Sequence, residues 1–514
     1  MKVKPADPAR VESSVRSTVR NTVLVALLVL VGRFSGFARE WMIAARGGAS
    51  ESTDVAIVLL TFPDLMVSLL LGGGLAATLV PAFKRCASGE DASLLCRATL
   101  WIGGAFVVLA VLLALMAPVV LGLLAPGLSP VVLQHSVPPF LVMLLALPLS
   151  AVSGVVVAFL NAHGRFAAGA GGTLVFNGAV IACVALAGHA SIAYAIAIGV
   201  AAGALLRLGI QGASGWPVLN WRGLLPRADT AALLKQFAGT FSFVTVLVVL
   251  SPVSRAVASL HDEGALSLFN FATKLVDLPM GVLIGSLGAV LLPKVSGDFI
   301  AGGYSGARPA LLLALKAALW ASIAILVPSV VFPDVLVGLA FHGAAFSPEQ
   351  SALLAELVRI AFLSLPFQAV LSIYGTAFAA AGATRSLIKV AALMLTLVIV
   401  LSPLALEYAG VQGVMAVHAG AYLTGAAAMT WLAGGDGHFG RGQVAQVLGN
   451  GRASLLWPLL VAVVIALAGA AAGGGLWARA FWAMAAFAGF IAAVVGCNPS
   501  LVMQWTQRKK MNVR

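Results

Sequence analysis

The sequence predicts an all-α polytopic membrane protein of about fourteen transmembrane helices: two six-helix lobes related by a parallel repeat, followed by two C-terminal helices. Three observations carry this. Of the 514 residues, 61% are hydrophobic and 10% charged, with a mean hydropathy of +1.03, which leaves too little polar surface to cover a water-soluble globule. Apolar runs long enough to cross about 30 Å of hydrocarbon recur with short breaks. Short elements of the first half return in the second at nearly equal offsets.

Taken in order, a basic N-terminal segment (1–21) precedes runs at about 22–45, 55–83, 98–121, 131–160, 173–188 and 190–212, the first lobe (22–212). A linker (213–231) leads to runs at 232–258, 265–293, 310–338, 350–381, 385–406 and 410–433, the second lobe (232–433). A loop (434–452) separates these from two further runs, 453–473 and 477–496, and a basic tail (497–514) closes the chain. The fifth run is short and is divided from the sixth only by Gly188-His189, so a count of thirteen stays open. The first run contains Arg33 and lacks a small-x-small cleavage site, so it reads as a retained helix and not a signal peptide. Pro63, Pro148, Pro279 and Pro366 fall inside runs, two in each half, where kinks are tolerated if neighbours satisfy the freed carbonyls. Gly72-Gly73-Gly74 interrupts the second run, and Gly281, Gly285 and Gly288 give the eighth a close-packing face.

The repeat rests on two matches. Leu75-Ala76-Ala77-Thr78-Leu79-Val80-Pro81 resembles Leu287-Gly288-Ala289-Val290-Leu291-Leu292-Pro293 at an offset of 212 residues, and Leu147-Pro148 resembles Leu365-Pro366 at an offset of 218. Each pair lies six helices apart. Six is even, so the copies share an orientation and are related by an axis along the membrane normal. With the N-terminus in the cytoplasm, 23 of the 31 basic residues collect on that side, among them Lys84, Arg85, Arg165, Arg207, Arg222, Lys294, Arg385 and Lys509. The positive-inside bias therefore puts both termini in the cytoplasm of a multi-pass protein. The net charge of +13 belongs to this membrane-surface pattern and not to nucleic acid. The four cysteines have no CxxC spacing, which speaks against a disulfide framework or a metal site.

Charges inside the runs mark the candidate site. A charge near the bilayer centre costs about 2.5–3.5 kcal/mol on insertion scales, so such residues usually face a bundle interior or a wet cavity. Gly32-Arg33-Phe34-Ser35-Gly36-Phe37-Ala38-Arg39-Glu40 puts Arg33, Arg39 and Glu40 in the first run, with the two arginines spaced to lean toward one broad face. Snorkelling of Arg39 and Glu40 to the interface is the plainer alternative. Lys274 and Asp277, at i, i+3 in the eighth run, form either a structural ion pair or part of a cavity wall. Arg255, near the outer end of the seventh, stands close to His261, Asp262 and Glu263, so an interfacial ion pair and a substrate contact are both open. No GxxxxGK[ST] cradle, HExxH or metal-spaced His/Cys cluster is present, and the eighteen acidic residues are spread out, so an enzyme is disfavoured and no metal or cofactor is expected.

Several stretches in order resemble one family. Gly32 to Glu40, then Thr53-Asp54 and Phe62-Pro63-Asp64-Leu65, resemble the N-terminal signature of the MurJ (MviN) lipid II flippases of the multidrug/oligosaccharidyl-lipid/polysaccharide exporter superfamily. Leu160-Asn161, Arg165-Phe166, Asn177, Lys274-Leu275-Val276-Asp277-Leu278-Pro279, Leu291-Leu292-Pro293, Phe341-His342-Gly343 and Ala377-Phe378 continue the likeness over about residues 20–430. The resemblance implies two lobes around a cationic cavity, an extra helix pair (453–496) forming a groove for a polyprenyl tail, and turning of lipid II between leaflets by alternating access.

Carried over residue by residue, the resemblance makes Arg33, Arg39 and Lys274 the pyrophosphate-binding cations. Glu40, Asp54, Asp277 and Arg255 become supporting or coupling residues. Two departures matter. Lys274 stands where the family has an arginine, which keeps the charge and loses the bidentate fork. Val67 stands where it expects another arginine, and Gly72-Gly73 where it has Glu-Gly. The expectation is a flippase of the bacterial inner membrane for undecaprenyl-pyrophosphate-linked lipid II, with coupling to the membrane potential or a monovalent cation left open. A flippase for an exopolysaccharide or O-antigen precursor is the alternative, and a cation or drug antiporter comes third. Expected partners are the lipid-linked glycan, the membrane and proteins of cell-wall or polysaccharide synthesis.

Overall fold

A computed structural model describes residues 8–66, 68, 74–86, 91–187, 192–214, 248–381, 383–434 and 452–497. Among them every regular element is helical. The protein is thus an all-α, multi-pass membrane protein. Among the described residues seven helices are long and apolar enough to cross a membrane, or eight if the bent pair Pro348–Phe362 and Leu365–Ala379 is one span. The expected fourteen crossings also count the shorter apolar helices Val248–Ala258 and Trp457–Ala472 and divide two long helices at glycine reversals. Residues 215–231 of the expected linker, most of the 434–452 loop, the tail beyond Cys497, Val67 and Gly72-Gly73 lie outside the described residues, as does the packing around Gly285 and Gly288.

The chain forms two compact units: Met1–Gly47, Glu51–Leu124 and Leu128–Val248 in the first, and Gly48–Ser50, Ala125–Gly127 and Val249–Arg514 in the second. The first holds α1 (Pro8–Gly47), α2 (Glu51–Met66), α3 (Gly74–Arg85), α4 (Asp91–Leu115), α5 (Ala117–Leu124), α6 (Pro130–Leu144), α7 (Ala146–Ala162), α8 (Phe166–Leu186) and α9 (Ile192–Ala213). Helix α8 packs against both α1 and α9, and α7 against α3, α4 and α9. The α8–α9 approach is close because glycines face it. A Cβ on Gly203 would stand 2.8 Å from the Phe176 carbonyl oxygen, and one on Gly199 2.8 Å from Val180 Cα.

The second unit holds α10 (Val248–Ala258), α11 (Ala265–Val331), α12 (Pro333–Ala340), α13 (Pro348–Phe362), α14 (Leu365–Ala380), α15 (Thr384–Ala433), α16 (Arg452–Ala472) and α17 (Leu476–Cys497). Ser347 and Gln350 close a capping box at the start of α13, with Pro348 in the first turn. Helices α16 and α17 bury Ala462, Ala466, Ala486 and Phe490 against Ala324, Val327, Phe332 and Val335.

The Leu-Pro repeat of the sequence has a backbone counterpart. Pro148 lacks an N–H, so the carbonyl four residues earlier, at Leu144, loses its helical donor, and α6 gives way to α7 there. Leu145 keeps helical angles and its N–H bonds to the Val142 carbonyl at 3.2 Å. In the same way Pro366 frees Phe362, α13 gives way to α14, and the Leu363 N–H bonds to the Ile360 carbonyl at 3.1 Å. A second pair of matched breaks lies inside the longest helices. Gly302 and Gly303 (φ −143°, ψ 19° and φ 60°, ψ −150°) interrupt α11, and Ala409 and Gly410 (φ −142°, ψ 17° and φ 58°, ψ −150°) interrupt α15. Glycine occupies both left-handed positions because that region is nearly closed to other residues.

Candidate functional site

In the first unit the candidate residues build a buried polar cluster on α1. Ser35 and Arg39 are one turn apart and face α8, against which Gly32 and Gly36 lie without side chains, opposite Thr173 and Asn177. Pro63-Asp64 of α2 brings a carboxylate to the same place. Arg39 donates from Nη1 to Asp64 Oδ1 and from Nη2 to Asp64 Oδ2, both at 3.0 Å, the fork-on-carboxylate geometry that planar guanidinium favours. Arg39 Nη2 also reaches Glu40 Oε1 at 2.8 Å, and Nη1 approaches Asn177 Oδ1 at 3.5 Å. Asn177 Nδ2 donates to Ser35 Oγ at 3.0 Å, and Ser35 Oγ donates to the Gly32 carbonyl at 2.8 Å.

Burial makes this cluster consequential. Arg39 is 4% exposed and Glu40 1%, so each needs its partner: removing one member of a buried ion pair typically costs about 3–5 kcal/mol. The Asp64 side chain is 26% exposed and is the open side of the group. One cation and two carboxylates carry a formal charge of −1 when ionised. Arg39 therefore sits packed among α1, α2 and α8 and does not snorkel, whereas Arg33 is exposed. Six residues on a helix turn the chain through about 600°, which leaves the two arginines about 120° apart. That is enough to put one in the helix interface and the other outside it. Asp54 is buried in α2.

The second unit holds the other candidates. Arg255 of α10 is buried and donates from Nη1 to Asn270 Oδ1 of α11 at 2.8 Å. Its neighbour Ser254 pairs its hydroxyl with His418 Nδ1 of α15 at 2.9 Å. The His418 ring meets Phe269 and Tyr422 edge to face, with centroids 5.5 and 5.4 Å apart. Asp277 lines a small cavity with Ser251, Thr273, Ser364, Gln368, His418 and Tyr422. Lys274 is half-buried one turn before it. Among the described residues no group of three or more His, Cys, Asp or Glu side chains is placed to hold a metal ion.

Sequence reasoning missed Asp64, Asn177 and Ser35 as partners of Arg39, and Asn270, Ser254 and His418 around Arg255. The signal for Asp64 was an acidic side chain inside an apolar run, which carries the same energetic argument as an arginine there. Its pairing was hidden by sequence distance, since Asp64 lies 25 residues from Arg39 and Asn177 lies 138.

Residues 43–489 match the family model "Lipid II flippase MurJ". The chain is 25% identical over 392 residues to the probable lipid II flippase MurJ of Rhizobium meliloti (strain 1021), covering 72% of each chain. It is 28% identical over 299 residues to the lipid II flippase MurJ of Burkholderia cenocepacia, covering 54% of this chain and 57% of that one. Among solved structures, a lipid II flippase MurJ in an inward closed conformation matches with a TM-score of 0.80 at 17% identity, over 93% of this chain and all of the other. An inward-facing multidrug resistance MATE family transporter of the MOP superfamily matches with a TM-score of 0.66 at 13% identity, over 83% and 99%. These structural likenesses speak to the fold.

Proposed function

This chain belongs to the MurJ lipid II flippase family, and on that premise we propose that it moves lipid II from the cytoplasmic to the periplasmic leaflet of the bacterial inner membrane by alternating access. It is a transporter and not an enzyme. The observation that carries the reading is the Arg39 fork, which already holds a carboxylate at full bidentate geometry beside a partly open edge at Asp64. A pyrophosphate presents the same paired oxygens with more charge, so it competes with Asp64 for the fork. Displaced Asp64, with Glu40 beside it, then needs a proton or a monovalent cation. Here ion binding or the membrane potential couples to transport.

Arg33 and Lys274 add cationic contacts to the phosphates and the glycan head. Asp54, Asp277 and Arg255 hold the surrounding polar groups in place. Both termini lie in the cytoplasm, and the substrate passes to and from proteins of cell-wall synthesis. Lys274 and Val67, in place of arginines that the family resemblance leads one to expect, favour a second reading. In it, another polyprenyl-linked glycan, an exopolysaccharide or O-antigen precursor, is the cargo. Complementation separates the two. Expression in cells depleted of their own lipid II flippase restores growth on the first reading, and failure despite normal membrane insertion supports the second.

A further inference from the structure

The Nη hydrogens of Arg39 meet three partners of unequal kind. Each Nη carries two hydrogens, and Asp64 takes one from each, end-on, from the partly open side of the cluster. Of the two that remain, the one on Nη2 goes to Glu40 Oε1 at 2.8 Å. The one on Nη1 has Asn177 Oδ1 at 3.5 Å, the long end of the hydrogen-bond range. Asn177 is a buried neutral amide of α8, and it stands on the flank of the guanidinium opposite Glu40.

Counting protons fixes which way that amide faces. Ser35 has a single hydroxyl hydrogen and gives it to the Gly32 carbonyl at 2.8 Å, so its oxygen can only accept from Asn177. Nδ2 therefore belongs at Ser35, where it donates at 3.0 Å. Arg39 offers donors alone, so Oδ1 belongs on its side. The two constraints agree, and a flipped amide would break both contacts.

We propose that Asn177, oriented by Ser35, is a positioning residue that keeps the Arg39 fork aimed while its end-on partner is exchanged. The proposal rests on the reading in which a pyrophosphate displaces Asp64. When Asp64 leaves, Glu40 on Nη2 and Asn177 on Nη1 hold the guanidinium from its two flanks, and the slack at 3.5 Å closes as Nη1 is released from the carboxylate. The plane then stays where the incoming oxygens meet it. An amide suits this place because it satisfies a buried donor without adding a charge. A carboxylate there would compete with the pyrophosphate for the cation, and an apolar side chain would leave one flank of the fork without a hold.

The test is a double-mutant cycle on the purified full chain in detergent, with undecaprenyl pyrophosphate as the probe and Kd and Tm measured on each variant. Asn177→Leu keeps the side-chain volume and removes both amide contacts. It is expected to weaken binding about tenfold when Arg39 is present, and to change it by less than about twofold in the Arg39→Lys background, because an ammonium has no plane to hold. Ser35→Ala leaves the amide in place without its anchor and is expected to weaken binding about threefold, again only with Arg39. Wild-type affinity in Asn177→Leu overturns the proposal. An equal loss in both backgrounds overturns it too, since a merely structural role would not depend on the fork. Should Asn177→Leu fail to fold, Ser35→Ala carries the same cycle. Wild-type protein that does not bind undecaprenyl pyrophosphate contradicts the pyrophosphate reading itself, a result distinct from any within the cycle, and the positioning role falls with it.

Discussion

At the scale of single residues, burial decides what each charge is worth. Arg39 and Glu40 are sealed into the α1–α2–α8 contact, so Arg39→Ala leaves two carboxylates without their cation and is expected to destabilise the protein by about 3–5 kcal/mol, measured as a fall in Tm in detergent. Asp334 and Arg479 form an ion pair of similar length, 2.7 Å, but each side chain is about two-fifths exposed. Asp334→Asn is therefore expected to cost less than about 1 kcal/mol in the same assay. Arg39→Lys is the more informative change, since it keeps the charge and loses the fork. The expectation is near-normal insertion with transport strongly reduced, read from growth of flippase-depleted cells and membrane immunoblots. That Arg39 faces the interior was legible from its depth in an apolar run. Its partner Asp64 was not, because pairing across 25 residues depends on how α1 and α2 pack, which no local pattern encodes.

At the scale of elements, the breaks matter as much as the helices. The reversal at Ala409–Gly410 requires φ 58° and ψ −150° at Gly410, and a Cβ there would also press on His261 Nε2 at 3.2 Å. Gly410→Ala is expected to cost about 1–3 kcal/mol of stability. Gly420→Ala, in the helical stretch of α15 with nothing within 4 Å of the new methyl group, is expected to be neutral or to stabilise by up to about 1 kcal/mol. Comparing the two Tm values separates backbone strain from packing. Much at this scale was readable in advance: the Leu147-Pro148 and Leu365-Pro366 echo marks the α6–α7 and α13–α14 breaks, because a proline removes the same helical bond wherever it falls. Arg207 shows the opposite case. Grouped with the basic residues that orient the chain because it stands near the end of its run, it lies buried in α9 beside Gly172. Whether a basic residue near a helix end reaches the interface or turns inward depends on the neighbouring helix, and here α8 offers it a glycine.

At the scale of the whole molecule, the chain combines a helical membrane fold with few charges, and among the described residues it buries some of them in polar clusters, around Arg39 in the first unit and around Arg255 in the second. Composition and periodicity reveal that fold class directly, since few other folds tolerate 61% hydrophobic residues. The cargo is a different matter: on the proposed reading it depends on which oxygens the Arg39 fork prefers, and that preference belongs to the assembled cluster. Reconstitution answers it most directly. Proteoliposomes containing lipid II in one leaflet, with the wild-type chain or Arg39→Lys inserted at equal density, are assayed for the appearance of its headgroup on the other side. Transfer by the wild type, with at least a tenfold slower rate for Arg39→Lys, is the expected outcome. Equal rates in both would mean that the fork does not hold the pyrophosphate, and no transfer by a correctly folded wild-type protein would mean that lipid II is not its cargo.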